Sequence, residues 1–173
     1  MKSNRGFSMI EVLITLILVS IGVLGMVALQ TRTLQNTQDS VQRNAAAALA
    51  NDLLESMRAQ PLGLPVTSGF YKNQDAEFPA EPAAGCAATP LNPNQQLACW
   101  AKKVKAILPG VTDDLLTNEF YVCRTANPGD CDPLAGSAVE IQIAWTVKAG
   151  ECMDSTDDDP DATVCHYRLR AEL

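Results

Sequence analysis

The chain has 173 residues and a formal charge of −7, a size that suits one membrane anchor and one compact domain. Its acidic balance argues against nucleic acid as the partner of the soluble part, which would need a basic patch. With one histidine and no G-x-S-x-G, P-loop or dinucleotide fingerprint, no catalytic residue, cofactor or small-molecule substrate is expected.

The first six residues, Met1 to Gly6, are short and basic through Lys2 and Arg5. From Phe7 to Leu29 the chain is almost wholly apolar, with Glu11 as its one charge. About 20 apolar residues in a helix cross the ~30 Å hydrocarbon core of a bilayer. Backbone groups in lipid must be satisfied within the segment, so this span is expected to be helical. A carboxylate inside the hydrocarbon costs at least a few kcal/mol, which makes Glu11 a functional candidate. A secretory signal would place its small-residue cleavage site after the apolar run. Here the small residue, Gly6, comes before it. A cut there removes the basic leader, keeps the helix, and leaves Phe7 as a new N-terminus four residues from Glu11.

The stretch Gly6-Phe7-Ser8-Met9-Ile10-Glu11-Val12-Leu13-Ile14 resembles the leader junction of type IV prepilins and type II secretion pseudopilins. The resemblance implies cleavage after Gly6 by a prepilin peptidase, N-methylation of Phe7, and assembly into a filament through stacked N-terminal helices. The wider run, ending ALANDLLESMRAQP, is similar to PilV-type minor pilins. In such an assembly the Glu11 carboxylate is expected to pair with a cation, and the Phe7 amine of a neighbouring subunit is the best placed one. Gly22 and Gly25 in the span read either as sites of close helix packing, the favoured reading, or as a point of bending. No proline interrupts the span, although many type IV pilins have one.

Residues 30–60 continue the helix. Leu34, Val41, Ala45, Leu49, Leu53 and Met57 recur at helical spacing on one face, the AAAALA run favours helix, and Pro61 supplies the stop. Residues 61–98 are rich in proline and glycine and read as loops. In a pilin this region tends to face partners; the alternative is a solvated connector pinned by Cys86. CWAKKVKAIL, Cys99 to Leu108, reads as a short amphipathic helix, with Lys102, Lys103 and Lys105 on a solvated face. Asp113 and Asp114 read as a turn or cap, Glu119 to Arg124 as a strand, and NPGD at 127–130 as a turn. Val139 to Val147 alternates apolar and polar residues, the pattern of a half-buried strand. Thr163 to Leu173 reads as its antiparallel partner, with His166 on the outer face.

All six cysteines, Cys86, Cys99, Cys123, Cys131, Cys152 and Cys165, lie beyond the helical part. An even count confined to that region reads as a disulfide framework in an oxidising compartment. Other pairings are open, and the sequential one is the expectation. Zinc is not expected, since there is no C-x-x-C. Asp157, Asp159 and Asp161 have the D-x-D-x-D spacing of a calcium loop, but Ala162 stands where Gly should and Arg168 where the bidentate Glu should. A solvated acidic turn is expected there. Some pilins use irregular calcium loops, so these three aspartates are the candidate ligands if calcium binds.

The expected fold class is α+β: a long N-terminal helix packed on a small antiparallel sheet in a disulfide-stapled, pilin-like head. The expected parts are a leader at 1–6, a transmembrane and filament-core helix at 7–29, an amphipathic extension at 30–60, and a periplasmic globular head at 61–173. Lys2 and Arg5 would hold the N-terminus in the cytoplasm. The resemblance implies a minor pilin that primes type IV pilus assembly, and so serves adhesion and twitching motility. Its implied partners are other minor and major pilins, the prepilin peptidase and the inner membrane. Alternatives are a minor pseudopilin of type II secretion or DNA uptake and, from a different class, a membrane-anchored periplasmic enzyme or binding module.

Overall fold

A computed structural model describes residues 8–60, 64–65, 67–87, 89–132, 136–153 and 162–172, with backbone alone at 31–32 and 35–36. The chain divides into two compact units, Met1–Gln38 and Asp39–Leu173. Helix α1 (Met9–Arg58) runs through both. Helices α2 (Pro93–Ile107) and α3 (Asp113–Asn118) and strands β1 (Tyr121–Thr125), β2 (Ala138–Thr146) and β3 (Val164–Glu172) belong to the second unit. The fold is α+β, with a small antiparallel sheet of order β1-β2-β3.

In the first unit the apolar side chains of α1 are exposed, Leu24 and Leu29 by about 70%. In the second unit the rest of α1 enters the core. Ala46, Leu49, Ala50, Leu53, Leu54 and Met57 are buried with Leu97, Trp100 and Val104 of α2 and with Ile141, Ile143 and Trp145 of β2. The expected apolar face holds at Leu49, Leu53 and Met57 but fails at Leu34 and Val41, which are 65% and 61% exposed. The covered stripe follows Asp39, the partly buried Arg43, Ala46, Ala50, Leu53 and Met57, a 3.6-residue period that passes beside Val41. Asp39 is 2% exposed and forms an ion pair with Arg43, one turn later, at 2.8 Å.

Helix α2 starts at Pro93, six residues before the expected Cys99, inside the region read as loop. Asn92 caps it through a reciprocal box: its side chain accepts from the Gln95 amide, and the Gln95 side chain accepts from the Asn92 amide. Pro93 at the first helical position loses nothing, because that N–H has no helical partner anyway. Asp113 and Asp114, read as a turn or cap, form the first turn of a helix, α3, whose cap is Thr112. Its short length hides any period.

Strand β2 corrects a second expectation. It is buried on both faces, not one: Glu140 and Gln142 are as covered as Ile141 and Ile143. The polar side chains are accepted inside because each is bonded. Glu140 accepts from the Tyr121 hydroxyl at 2.5 Å and from the Gly129 amide, and the Gln142 amide donates to the Glu119 carbonyl at 2.7 Å. His166 is half-buried and lies 3.0 Å from Glu119 Oε2, so it is not a plain outward residue.

Three disulfides staple the second unit: Cys86–Cys99, Cys123–Cys131 and Cys152–Cys165, with Cα separations of 5.6, 5.6 and 5.5 Å. The first ties the loop region to α2, the second ties β1 to the turn after it, and the third ties β3 to the segment after β2.

Candidate functional site

The sequence places its main candidates at the start of α1. Gly6 and Phe7 lie outside the described residues, as do Asp157, Asp159 and Asp161. The Ser8 carbonyl accepts from the amides of Glu11 and Val12 at 3.0 and 3.3 Å and so starts the helix. Glu11 falls in the first turn. A carboxylate there interacts favourably with the unpaired amides and positive dipole end of the helix. Its side chain is exposed.

From Met9 to Gln30 the helix has a mean hydropathy of 2.8 and is long and apolar enough to cross a membrane. None of it is buried within the chain. Each large aliphatic side chain left in water forgoes roughly 1.5–3 kcal/mol of burial, and an apolar surface of this extent marks a membrane or an interaction site. Its hydroxyls are already satisfied. Thr15 donates to the Val12 carbonyl at 2.8 Å and Ser20 to the Leu16 carbonyl at 2.7 Å. Such back-bonding lets a hydroxyl enter lipid without an orphaned donor. Gly22 and Gly25 leave open space: a Cβ at either would meet nothing within 4 Å.

Residues 1–27 match the prokaryotic N-terminal methylation motif. The chain therefore carries a leader motif of the type IV pilin kind, and the match runs from the basic leader into the apolar helix. No curated protein and no solved structure matches the chain.

The second unit holds polar groups that the sequence did not single out. Lys72 is 3% exposed, and its ammonium donates to the carbonyls of Thr117 and Phe120 at 2.8 and 2.6 Å while lying 5.2 Å over the Phe78 ring. Burial lowers its pKa to about 8, against the opposing pull of Asp75. Burial first, and then the hydrogen bond to Glu140, raises the pKa of Tyr121. Arg43 lies 5.6 Å over the Trp145 ring. These contacts join residues far apart in the chain, so no local pattern announces them. The three lysines read as a solvated face each meet a carboxylate: Lys102 with Glu81, Lys103 with Asp52 and Lys105 with Asp113, at 2.5, 2.9 and 2.7 Å. A cleft of about 720 Å³ lies beside two of these pairs, with Phe78, Ala101 and Leu116 in its walls. Among the described residues no cluster of three or more metal-ligating side chains occurs.

Proposed function

We propose that this chain is a minor pilin, a structural subunit that helps to prime assembly of the type IV pilus and makes or breaks no covalent bond itself. The observation that carries the reading is the methylation motif at residues 1–27 continuing into an apolar helix with no cover of its own. Such a helix needs lipid before assembly and neighbouring helices after it. Residues 1–6 act as the leader. Prepilin peptidase cuts after Gly6, Phe7 is N-methylated, residues 7–29 anchor the subunit in the inner membrane, and 30–60 extend that helix. Residues 61–173 form the periplasmic head, which the filament later carries outside the cell. Its oxidised cysteines suit that compartment.

Glu11 is assigned to assembly. Its carboxylate pairs with the N-terminal amine of a neighbouring subunit and sets axial register. The other partners are major and minor pilins. A pseudopilus of type II secretion or DNA uptake would use the same junction, and the subunits that co-purify from membranes distinguish the two. Mass spectrometry of membrane-extracted protein tests the core of the reading. The expected N-terminus is N-methylated Phe7. A chain that keeps Met1 would overturn the proposal and favour a plain membrane-anchored enzyme or binding module. Glu11→Ala is expected to insert normally and to be incorporated poorly.

A further inference from the structure

We infer that the outer edge of β3 is a docking site for an extended acidic segment of another protein, which adds a strand to the sheet beyond Arg168. This inference stands on the second unit alone and does not depend on how the N-terminus is processed.

The sheet has two edges, and they are treated differently. On β1, Val122 exchanges both backbone hydrogen bonds with Lys72, at 2.9 and 2.8 Å, and the Arg124 carbonyl accepts from the Asp132 amide at 3.0 Å. That edge is covered. Just before β3, the Thr163 carbonyl accepts from the Val147 amide, which lies just past β2. Odd-numbered positions therefore turn their backbone groups toward β2, and even-numbered positions turn theirs outward. The His166 carbonyl accordingly accepts from Arg43 on α1, at 3.4 Å. Past that contact, the outward amides and carbonyls of Arg168 and Arg170 meet no backbone partner among the described residues. An open edge of this kind is a template for strand addition.

Charge selects the occupant. Successive even positions of β3 share one face, so His166, Arg168 and Arg170 stand in a row, with Glu172 as the one acid of the strand. Among the described residues, neither arginine spends its charge on a carboxylate through a hydrogen bond. Arg168 Nε donates to Gln142 at 2.5 Å, and Arg170 Nη2 donates to the Ala126 carbonyl at 2.6 Å. Glu140, opposite Arg170 on β2, is bonded to Tyr121 and Gly129. A second copy adding through the same edge, in register about Arg168, would set that arginine against itself, and like charges directly opposite destabilise a strand pair. An added strand with carboxylates two residues apart places one opposite each arginine and supplies the outward backbone bonds.

The test uses the full chain in detergent micelles with two end-blocked seven-residue peptides, one alternating threonine and glutamate, the other threonine and lysine. Amide exchange at Arg168 and Arg170 is expected to slow by about tenfold or more with the glutamate peptide. That peptide is expected to bind about tenfold tighter than the lysine peptide at low salt, with the gap closing as salt screens it. Arg168→Glu with Arg170→Glu should reverse the preference. Arg170→Pro removes one outward amide, which the β2 ladder does not use, and should weaken binding of the glutamate peptide. The charge-reversal pair decides the matter if the proline variant does not fold. Equal binding of both peptides, no slowing at Arg168 and Arg170 with millimolar glutamate peptide, or the same slowing from raised protein concentration alone would each overturn the inference.

Discussion

Arg43 holds its guanidinium 2.8 Å from the buried carboxylate of Asp39 and 5.6 Å over the ring of Trp145. The pair replaces an apolar contact at the point where α1 first joins the core of the second unit. Removing one partner of a buried pair leaves an uncompensated charge, which costs roughly 3 kcal/mol or more. Arg43→Met is therefore expected to lower stability by about that amount, and Asp39→Asn with Arg43→Met together to recover part of it. Thermal unfolding followed by near-ultraviolet circular dichroism measures both. A double variant less stable than Arg43→Met alone would show that the pair is not the reason.

Tyr121 and Glu140 form the second buried contact of this kind. Tyr121→Phe removes the hydroxyl that donates to Glu140 and leaves that oxygen to the Gly129 amide alone. Hydrogen bonds to charged groups contribute about 1.5–3 kcal/mol, and the loss of stability is expected in that range. A change within a few tenths of a kcal/mol would mean that water replaces the hydroxyl at no cost.

Lys72 makes stability depend on pH in an unusual direction. Its pKa falls from 10.5 to about 8 on folding. Between those values the unfolded chain holds a proton that the folded chain has released, so stability rises with pH. Burial raises Tyr121 above its ordinary value of 10.0, and stability from that group is lost as pH climbs past 10. The window that isolates Lys72 is therefore pH 8 to 10. The melting temperature of the wild type relative to Lys72→Met is expected to rise across it. A flat difference would contradict this.

Glycines separate the two units experimentally. At Gly110 the backbone has φ of +65°, and a Cβ would lie 2.6 Å from Thr146 Cβ. Gly110→Ala is expected to cost about 2 kcal/mol or more, since both the left-handed backbone and the close approach oppose it. Gly22→Ala and Gly25→Ala meet open space and should each favour helix by up to about 1 kcal/mol. If the small residues serve close packing between subunits, this double variant inserts normally but enters filaments less well. Undiminished incorporation would remove the packing role.

The parts legible in the sequence are those with a long, regular period. The apolar run announces the first part of α1. The alternation in VEIQIAWTV announces β2, and its partner strand is legible beside it. The start of α2 was also written in the chain, as Asn92 and Gln95 flanking Pro93, but six prolines between 61 and 98 made the region read as loop. What the sequence did not disclose is tertiary. Glu140 and Gln142 look like solvent-facing residues until Tyr121, Gly129 and the Glu119 carbonyl arrive to bond them. Val41 looks like core until Asp39 and Arg43 take that place.

The three disulfides have a consequence for how the chain matures. Their cysteines are 13, 8 and 13 positions apart and pair consecutively. A chain threaded outward from its N-terminal end would present each cysteine just after its mate, so an oxidant could seal every bridge in order of appearance. Nothing later in the chain would need to be untied for the next bridge to close.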